Sequence, residues 1–146
     1  MEWKEKIKRW CLKCERSEFE VLRKLSNLGA SQDEATTFLE VLKNENFIDE
    51  NRFISAFIHD HFVLKNWGPR KIYDGLLKKG CKSHQVTQTL DKLSSDKIDQ
   101  ALKATISTRY SIYPDEHKKN KTRLVRFLQT RGYTLEQILS AVDEFS

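Results

Sequence analysis

Three stretches of the chain share one hydrophobic signature, an aliphatic residue, a second four positions later and a glycine four after that. They read Val21, Leu25, Gly29; Ile72, Leu76, Gly80; and Leu124, Leu128, Gly132. The glycines lie 51 and 52 residues apart, a period that points to tandem supersecondary units. Beyond each glycine the apolar positions recur at matching offsets. They are Ala35, Phe38, Leu39 and Leu42 after Gly29, and Val86, Thr89, Leu90 and Leu93 after Gly80. After Gly132 they are Ile138, Ala141, Val142 and Phe145. Such steps set four side chains on one stripe of a helix. Each glycine therefore sits between two helices, where its freedom to adopt positive φ ends the first. Ser31, Ser83 and Thr134 open the second, and Ser31 with Glu34 and Thr134 with Gln137 have capping-box spacing.

The remaining pattern supplies a helix ahead of each signature. Trp3, Ile7, Trp10, Cys11 and Cys14 form a stripe that predicts a helix over residues 3–15. Ser17 and Glu20 form a capping box for the next, which runs to about Asn27, and a third spans Ser31 to Asn46. Asp49 is the expected N-cap of a helix whose apolar face holds Phe53, Ile54, Phe57, Ile58, His61 and Phe62. Trp67-Gly68-Pro69 breaks it, with Pro69 suited to the first turn of the following helix. Asp96 opens the last set, with Ile98, Ala101, Leu102, Thr105 and Ile106 inward. The polar stretch Tyr113 to Asn120 is the longest connection and the expected mobile segment. The prediction is an all-α protein of three tandem three-helix, helix-turn-helix-like repeats, residues 1–48, 49–95 and 96–146, in an elongated, curved array.

At 146 residues with two prolines, composition agrees with this helical pattern. No run of apolar residues is long enough to span a membrane, and the first residues lack the apolar core of a signal peptide, so a cytoplasmic product is expected. The formal net charge is +5, and its distribution is uneven. Residues 65–82 hold six cations against Asp74 alone, and residues 118–131 hold six with no acid, whereas residues 30–64 carry seven acids against Lys43 and Arg52. Segregation of this kind predicts an anionic partner, nucleic acid or an acidic protein face.

Candidate chemistry is sparse. Cys11-Leu-Lys-Cys14 has C-x-x-C spacing, but the other possible zinc ligands, Cys81, His59, His61, His84 and His117, are scattered, and no strand–helix redox context surrounds it. Both thiols fall on the apolar stripe and are expected in the core. No Ser/His/Asp order, phosphate-binding glycine loop or paired metal carboxylates occur, so no catalytic, cofactor or metal site is assigned. The basic helices carry the candidate binding residues: Arg70, Lys71, Lys78 and Lys79 in the second repeat, and Lys119, Arg123, Arg126 and Arg131 in the third. Around Ile72 and Leu76, Lys71 and Lys78 project opposite the apolar stripe; Lys119, Arg123 and Arg126 form an i, i+4, i+7 row. In equivalent places of adjacent repeats, the two helices are expected to form one basic surface. Trp67 and Tyr73 suit either base stacking or packing at a repeat junction, with packing preferred.

Several strings together resemble the RecX family of bacterial recombination regulators. They are Glu15-Arg16-Ser17, Phe47-Ile48-Asp49-Glu50-Asn51-Arg52-Phe53, Trp67-Gly68-Pro69-Arg70-Lys71-Ile72, and Phe127-Leu128-Gln129-Thr130-Arg131-Gly132-Tyr133. The resemblance runs from about Trp10 to Phe145. It implies three tandem three-helix repeats and a non-enzymatic regulator; separately, a polar-faced repeat array of this kind is expected as a monomer. Such a regulator binds the RecA recombinase, lodges along the groove of its DNA filament, and damps ATPase and strand exchange. Two positions depart from the family pattern: Leu28 and Ala30 flank Gly29 where a cation and an aromatic are usual, and Cys81 follows Gly80 where an aliphatic is usual. The competing reading is a direct DNA-binding helical module, such as a transcription factor, using the same basic helices on duplex DNA. A nuclease lacks any acidic metal cluster in the sequence.

Overall fold

The computed structural model describes residues 2–115 and 121–144. Among these residues the protein is all-α, with nine α-helices and no strand. They are α1 (Glu2–Lys13), α2 (Glu18–Asn27), α3 (Gln32–Asn44), α4 (Glu50–Ile58), α5 (Pro69–Lys78), α6 (Ser83–Leu90), α7 (Ser95–Ile112), α8 (Lys121–Thr130) and α9 (Leu135–Glu144). Of the sequence expectations, Phe145, His117, Lys119 and most of the 113–120 connection lie outside the described residues.

The caps explain where most helices begin. At α2, the Ser17 hydroxyl accepts from the Glu20 amide at 3.1 Å, and the Glu20 carboxylate accepts from the Ser17 amide at 3.0 Å. The same reciprocal pair recurs at α3 between Ser31 and Glu34 and at α9 between Thr134 and Gln137. Asp49 caps α4 by accepting from Arg52 N–H at 3.1 Å. For α7 the expected cap is displaced. Ser94, not Asp96, accepts from the Lys97 amide, and Asp96 sits in the first turn, where its charge faces the positive end of the helix.

Three further expectations are corrected. The helix expected through Phe62 stays regular only to Ile58 and continues as a π-helical turn, His59–Val63, which keeps Phe62 buried before the chain turns at Asn66 (φ 56°). Helix α6 begins with Ser83 as its first residue and ends at Leu90, leaving Leu93 in a tight turn. Its last turn contains the β-branched Thr87 and Thr89, which are weak helix formers. Cys11 is buried, but Cys14 is exposed because α1 stops at Lys13.

The repeated signature has a single physical origin. Gly29, Gly80 and Gly132 have φ of +101°, +82° and +101°. After each, the next amide (Ala30, Cys81, Tyr133) donates back to the carbonyl of Leu25, Leu76 or Leu128 at 3.0–3.3 Å, while the glycine amide donates to the residue after that leucine. This is the Schellman closure, in which a hydrophobic residue just past the glycine packs against the third residue from the helix end. Ala30, Cys81 and Tyr133 are all buried, as are the six aliphatic residues of the signature.

By backbone proximity the chain forms two compact units, Met1–Phe57 with Leu76–Val86, and Ile58–Gly75 with Thr87–Ser146. In the first, α2 packs against α1 and α3 around Ile7, Val21, Leu25 and Leu42, and Trp3 meets Phe38 edge-on at 5.3 Å. In the second, α9 packs against α7 and α8 around Leu102, Ile106, Leu124, Leu128 and Ile138.

Within each unit one glycine turn lies against the start of an earlier helix. A Cβ on Gly80 would sit 2.7 Å from Phe19 Cβ in the first turn of α2. A Cβ on Gly132 would sit 2.5 Å from the Lys71 amide nitrogen in the first turn of α5, whereas one on Gly29 would meet nothing within 4 Å. Gly29→Ala is therefore expected to cost only its left-handed backbone strain, about 1–2 kcal/mol. Gly132→Ala adds a collision with backbone and should cost at least about 3 kcal/mol; urea unfolding of the two variants measures the difference.

Cys81 has a polar neighbour of its own, since its thiol lies 3.6 Å from Glu50 Oε1. Burial, followed by the Glu50 charge, pushes this thiol up to about 12. Burial and the adjacent Glu18 charge likewise hold Glu50 above its ordinary 4.5. A carboxyl whose folded pKa is raised binds its proton more tightly when folded, so stability falls as pH rises above about 4.5. Glu50→Gln should remove that slope and raise the urea midpoint at pH 7 relative to the parent.

Candidate partner-binding surfaces

In the second unit the loop ahead of α5 and the turn after α8 are clasped together. Gly68 N–H donates to Arg131 O at 2.6 Å and Arg70 N–H to Gly132 O at 3.1 Å. The Arg131 guanidinium donates to Lys65 O at 2.6 Å, and the Tyr133 hydroxyl to Asn66 O at 2.8 Å. The Trp-Gly-Pro and Arg-Gly-Tyr strings, far apart in sequence, are thus two halves of one contact. Burial pushes the Tyr133 phenol up to about 12, so it remains a donor at neutral pH.

Cations collect around this clasp. Lys71 is half-buried with its Nζ 4.1 Å from the Trp67 ring centroid, and Lys65 lies 5.9 Å from the same ring. The His61 ring also meets Trp67, at 4.3 Å and 48°, so the indole is a packed residue, as expected. Burial, then the charges of Arg131 and Lys65, hold Lys71 below its ordinary 10.5. Arg131 Nε is buried without a hydrogen-bond partner among the described residues. Arg131 is therefore first a clasp residue, although its charge remains in the cluster.

The other candidates divide into engaged and outward-facing groups. Lys79 is half-buried and pairs with Glu20 at 3.2 Å, reaching back to α2 much as Arg131 reaches Lys65. Arg70 is exposed, 3.3 Å from Asp74 and 5.6 Å from the Tyr73 ring. Lys78 is exposed on the last turn of α5, and Arg123 and Arg126 are exposed on α8, away from the buried Leu124 and Leu128. Lys119 lies outside the described residues.

Sequence reasoning passed over Arg23 and Lys24 because Glu18 and Glu20 balance them. Those acids are committed elsewhere, Glu18 to Lys43 at 3.6 Å and Glu20 to the Ser17 cap and Lys79. Their place in the first turn of α2, where carboxylates serve caps and the helix dipole, was the available signal. Among the described residues no cluster of His, Cys, Asp and Glu is placed to hold a metal ion, and no helix is long and apolar enough to cross a membrane.

No family model matches the chain. Among curated proteins it is similar to "Regulatory protein RecX" of Clostridium tetani, 30% identical over 88% of this chain and 60% of that protein. The protein of the same name from Lactobacillus johnsonii is 27% identical over 88% of this chain, and that from Halorhodospira halophila 28% over 84%. The chain is thus similar to RecX proteins over more than four-fifths of its length. It spans about half the length of the Lactobacillus johnsonii protein (48%) and 74% of the Halorhodospira halophila one. Its fold matches a crystal structure of regulatory protein RecX with a TM-score of 0.84 at 15% identity, covering 96% of this chain and 71% of that one. The crystal structure of RecX from Lactobacillus salivarius matches at 0.80 and 18%, covering 97% and 95%. At such identities the structural likeness speaks for the RecX fold alone.

The division between clasp and surface is measurable. Arg131→Gln leaves the Lys65 carbonyl without its donor and should lower unfolding stability by about 1–2 kcal/mol. Arg126→Gln on the open face of α8 should change it by less than about 0.5 kcal/mol, both by urea unfolding.

Proposed function

We propose that this protein binds the RecA recombinase, free or assembled on DNA, lodges along the filament groove, and inhibits ATPase and strand exchange without chemistry of its own. The observation that carries the proposal is the match to proteins named Regulatory protein RecX over more than four-fifths of the chain. The charge distribution supports it. Arg70, Lys78, Arg123 and Arg126 are exposed cations on helices whose opposite faces are buried. Around Trp67, Lys65, Lys71 and Arg131 add a positive field. Exposed cations of this kind attract acidic protein faces and phosphates alike. Contacts to several filament subunits at once would strengthen attachment through effective concentration. The proposed setting is the cytoplasm, with the protein acting as a monomer.

The deciding experiment is RecA's DNA-dependent ATPase titrated with substoichiometric amounts of this protein at several salt concentrations. Inhibition that weakens as salt rises is expected, because the attachment is charge-dependent. Lys78→Glu with Arg126→Glu should raise the half-inhibitory concentration by about tenfold or more, equivalent to roughly 1.4 kcal/mol of lost binding, with helix content unchanged by circular dichroism. Full inhibition by the folded double variant removes this assignment of the surface; no inhibition by the parent protein removes the RecA reading. Strong sequence-selective binding to bare duplex would favour a DNA-binding module instead.

A further inference from the structure

The first unit carries a groove opposite in character to the basic helices. Trp3 and Lys4 of α1 and Asp33, Glu34, Phe38 and Val41 of α3 line it, around about 490 Å³. The Trp3 and Phe38 rings meet edge-on, with centroids 5.3 Å apart and planes at 86°, so the two form an aromatic corner. Asp33 and Glu34 stand beside that corner, and neither has a cation at ion-pair distance among the described residues. Hydrogen bonding to Ser31 holds the Glu34 carboxyl below its ordinary 4.5. Both acids are therefore charged at neutral pH, and they repel phosphates and acidic protein faces.

The chain's own Lys4 shows what the corner accepts. Its ammonium stands 5.6 Å from the Phe38 centroid and 5.9 Å from the Trp3 centroid, at the outer limit at which a ring face draws a cation. Lys4 is exposed and forms no ion pair among the described residues, so it is weakly held there. A guanidinium suits the place better than an ammonium. Being planar, it stacks on a ring and offers paired N–H donors to a carboxylate at the same time. A quaternary ammonium has no donor for Asp33 or Glu34. The groove is also larger than one guanidinium, and Val41 supplies apolar surface for a neighbouring side chain.

We propose that this groove docks a basic segment of a partner protein, whose arginine stacks at the Trp3–Phe38 corner and bonds Asp33 and Glu34 in the place of Lys4. The proposal goes beyond the RecA reading. It uses an acidic face of the first unit rather than the outward cations, and it is tested without the recombinase.

The test is a fluorescence-anisotropy titration, at low salt, of the full chain into a labelled alanine–leucine peptide carrying two arginines. Replacing both arginines by citrulline, which removes the charge and keeps the shape, should abolish binding. Asp33→Asn with Glu34→Gln should weaken binding by about tenfold or more, with helix content unchanged by circular dichroism, because the glutamine preserves the capping box with Ser31. Trp3→Leu should weaken it about threefold and Trp3→Phe less, since an aromatic face is retained. Lys4→Ala should tighten it by clearing the rings. No binding by the parent and by Lys4→Ala overturns the proposal. So does unchanged affinity in the double acid variant, or equal affinity for the citrulline peptide. Unchanged affinity in Trp3→Leu, or no gain in Lys4→Ala, overturns the placement of the arginine on the rings. Displacement of the peptide by tetramethylammonium at matched concentration would assign the groove to a small quaternary cation instead.

Discussion

The absence of a side chain at Gly132 lets the turn after one helix lie directly on the first turn of another. Lys71 backbone occupies the space a Cβ would need, and the proximity aligns the turn's carbonyls with the Gly68 and Arg70 amides. These amides belong to the start of α5, where a helix has donors without internal partners. The turn after α8 therefore acts as a cap for α5, supplied by the backbone of another repeat. Gly80 brings its own turn against α2 in the same way, although there the helix start is already capped by Ser17 and the contact is to Phe19.

This arrangement sets what the neighbouring cations do. A residue just before such a glycine is carried toward the earlier helix start. Lys79 finds the Glu20 carboxylate there and Arg131 the Lys65 carbonyl. A long cationic side chain suits either target, since it reaches across the contact while its apolar stem packs beneath. The charge is only partly neutralised. Lys79 is matched by Glu20, but Arg131 bonds a neutral carbonyl and stands near Lys71 and Lys65 without an acid between them. The second unit therefore retains a concentrated positive field where the clasp itself is built. The outward cations of α8 add to the same sign in that unit.

Much of the fold was legible because it depends on local chemistry. Three capping boxes, the Pro69 helix start and the glycine closures are each set by residues within six positions of one another, and each occurs where the spacing places it. What the spacing misplaced was also local but nearly balanced. Ser94 and Asp96 are both acceptable caps, and only the geometry of the turn selects Ser94. The π-helical turn at His59–Val63 keeps Phe62 buried, so the apolar stripe reads the same with or without it. Site residues were less legible for a different reason. Summed charge along a segment ignores where each carboxylate points, and two acids at a helix start are drawn into caps and ion pairs with other helices. The 17–29 segment looks neutral on paper, yet Arg23 and Lys24 face a cleft and Glu18 and Glu20 do not neutralise them.

The same geometry accounts for the residues that flank Gly29 and follow Gly80. Gly29 has the same positive φ as Gly132, but a Cβ there would meet no atom within 4 Å, so the glycine itself is not pressed against another element. Leu28 precedes it, half-buried against the core of its own unit. Ala30 fills the place of Tyr133, buried at the close of its own helix end but with no side-chain polar group to bond. Cys81 fills the same place after Gly80 and is small enough to lie beside Glu50, which a larger aliphatic side chain would crowd. Residues around the glycines thus follow what each turn touches, so one backbone closure is used three times with three different surroundings.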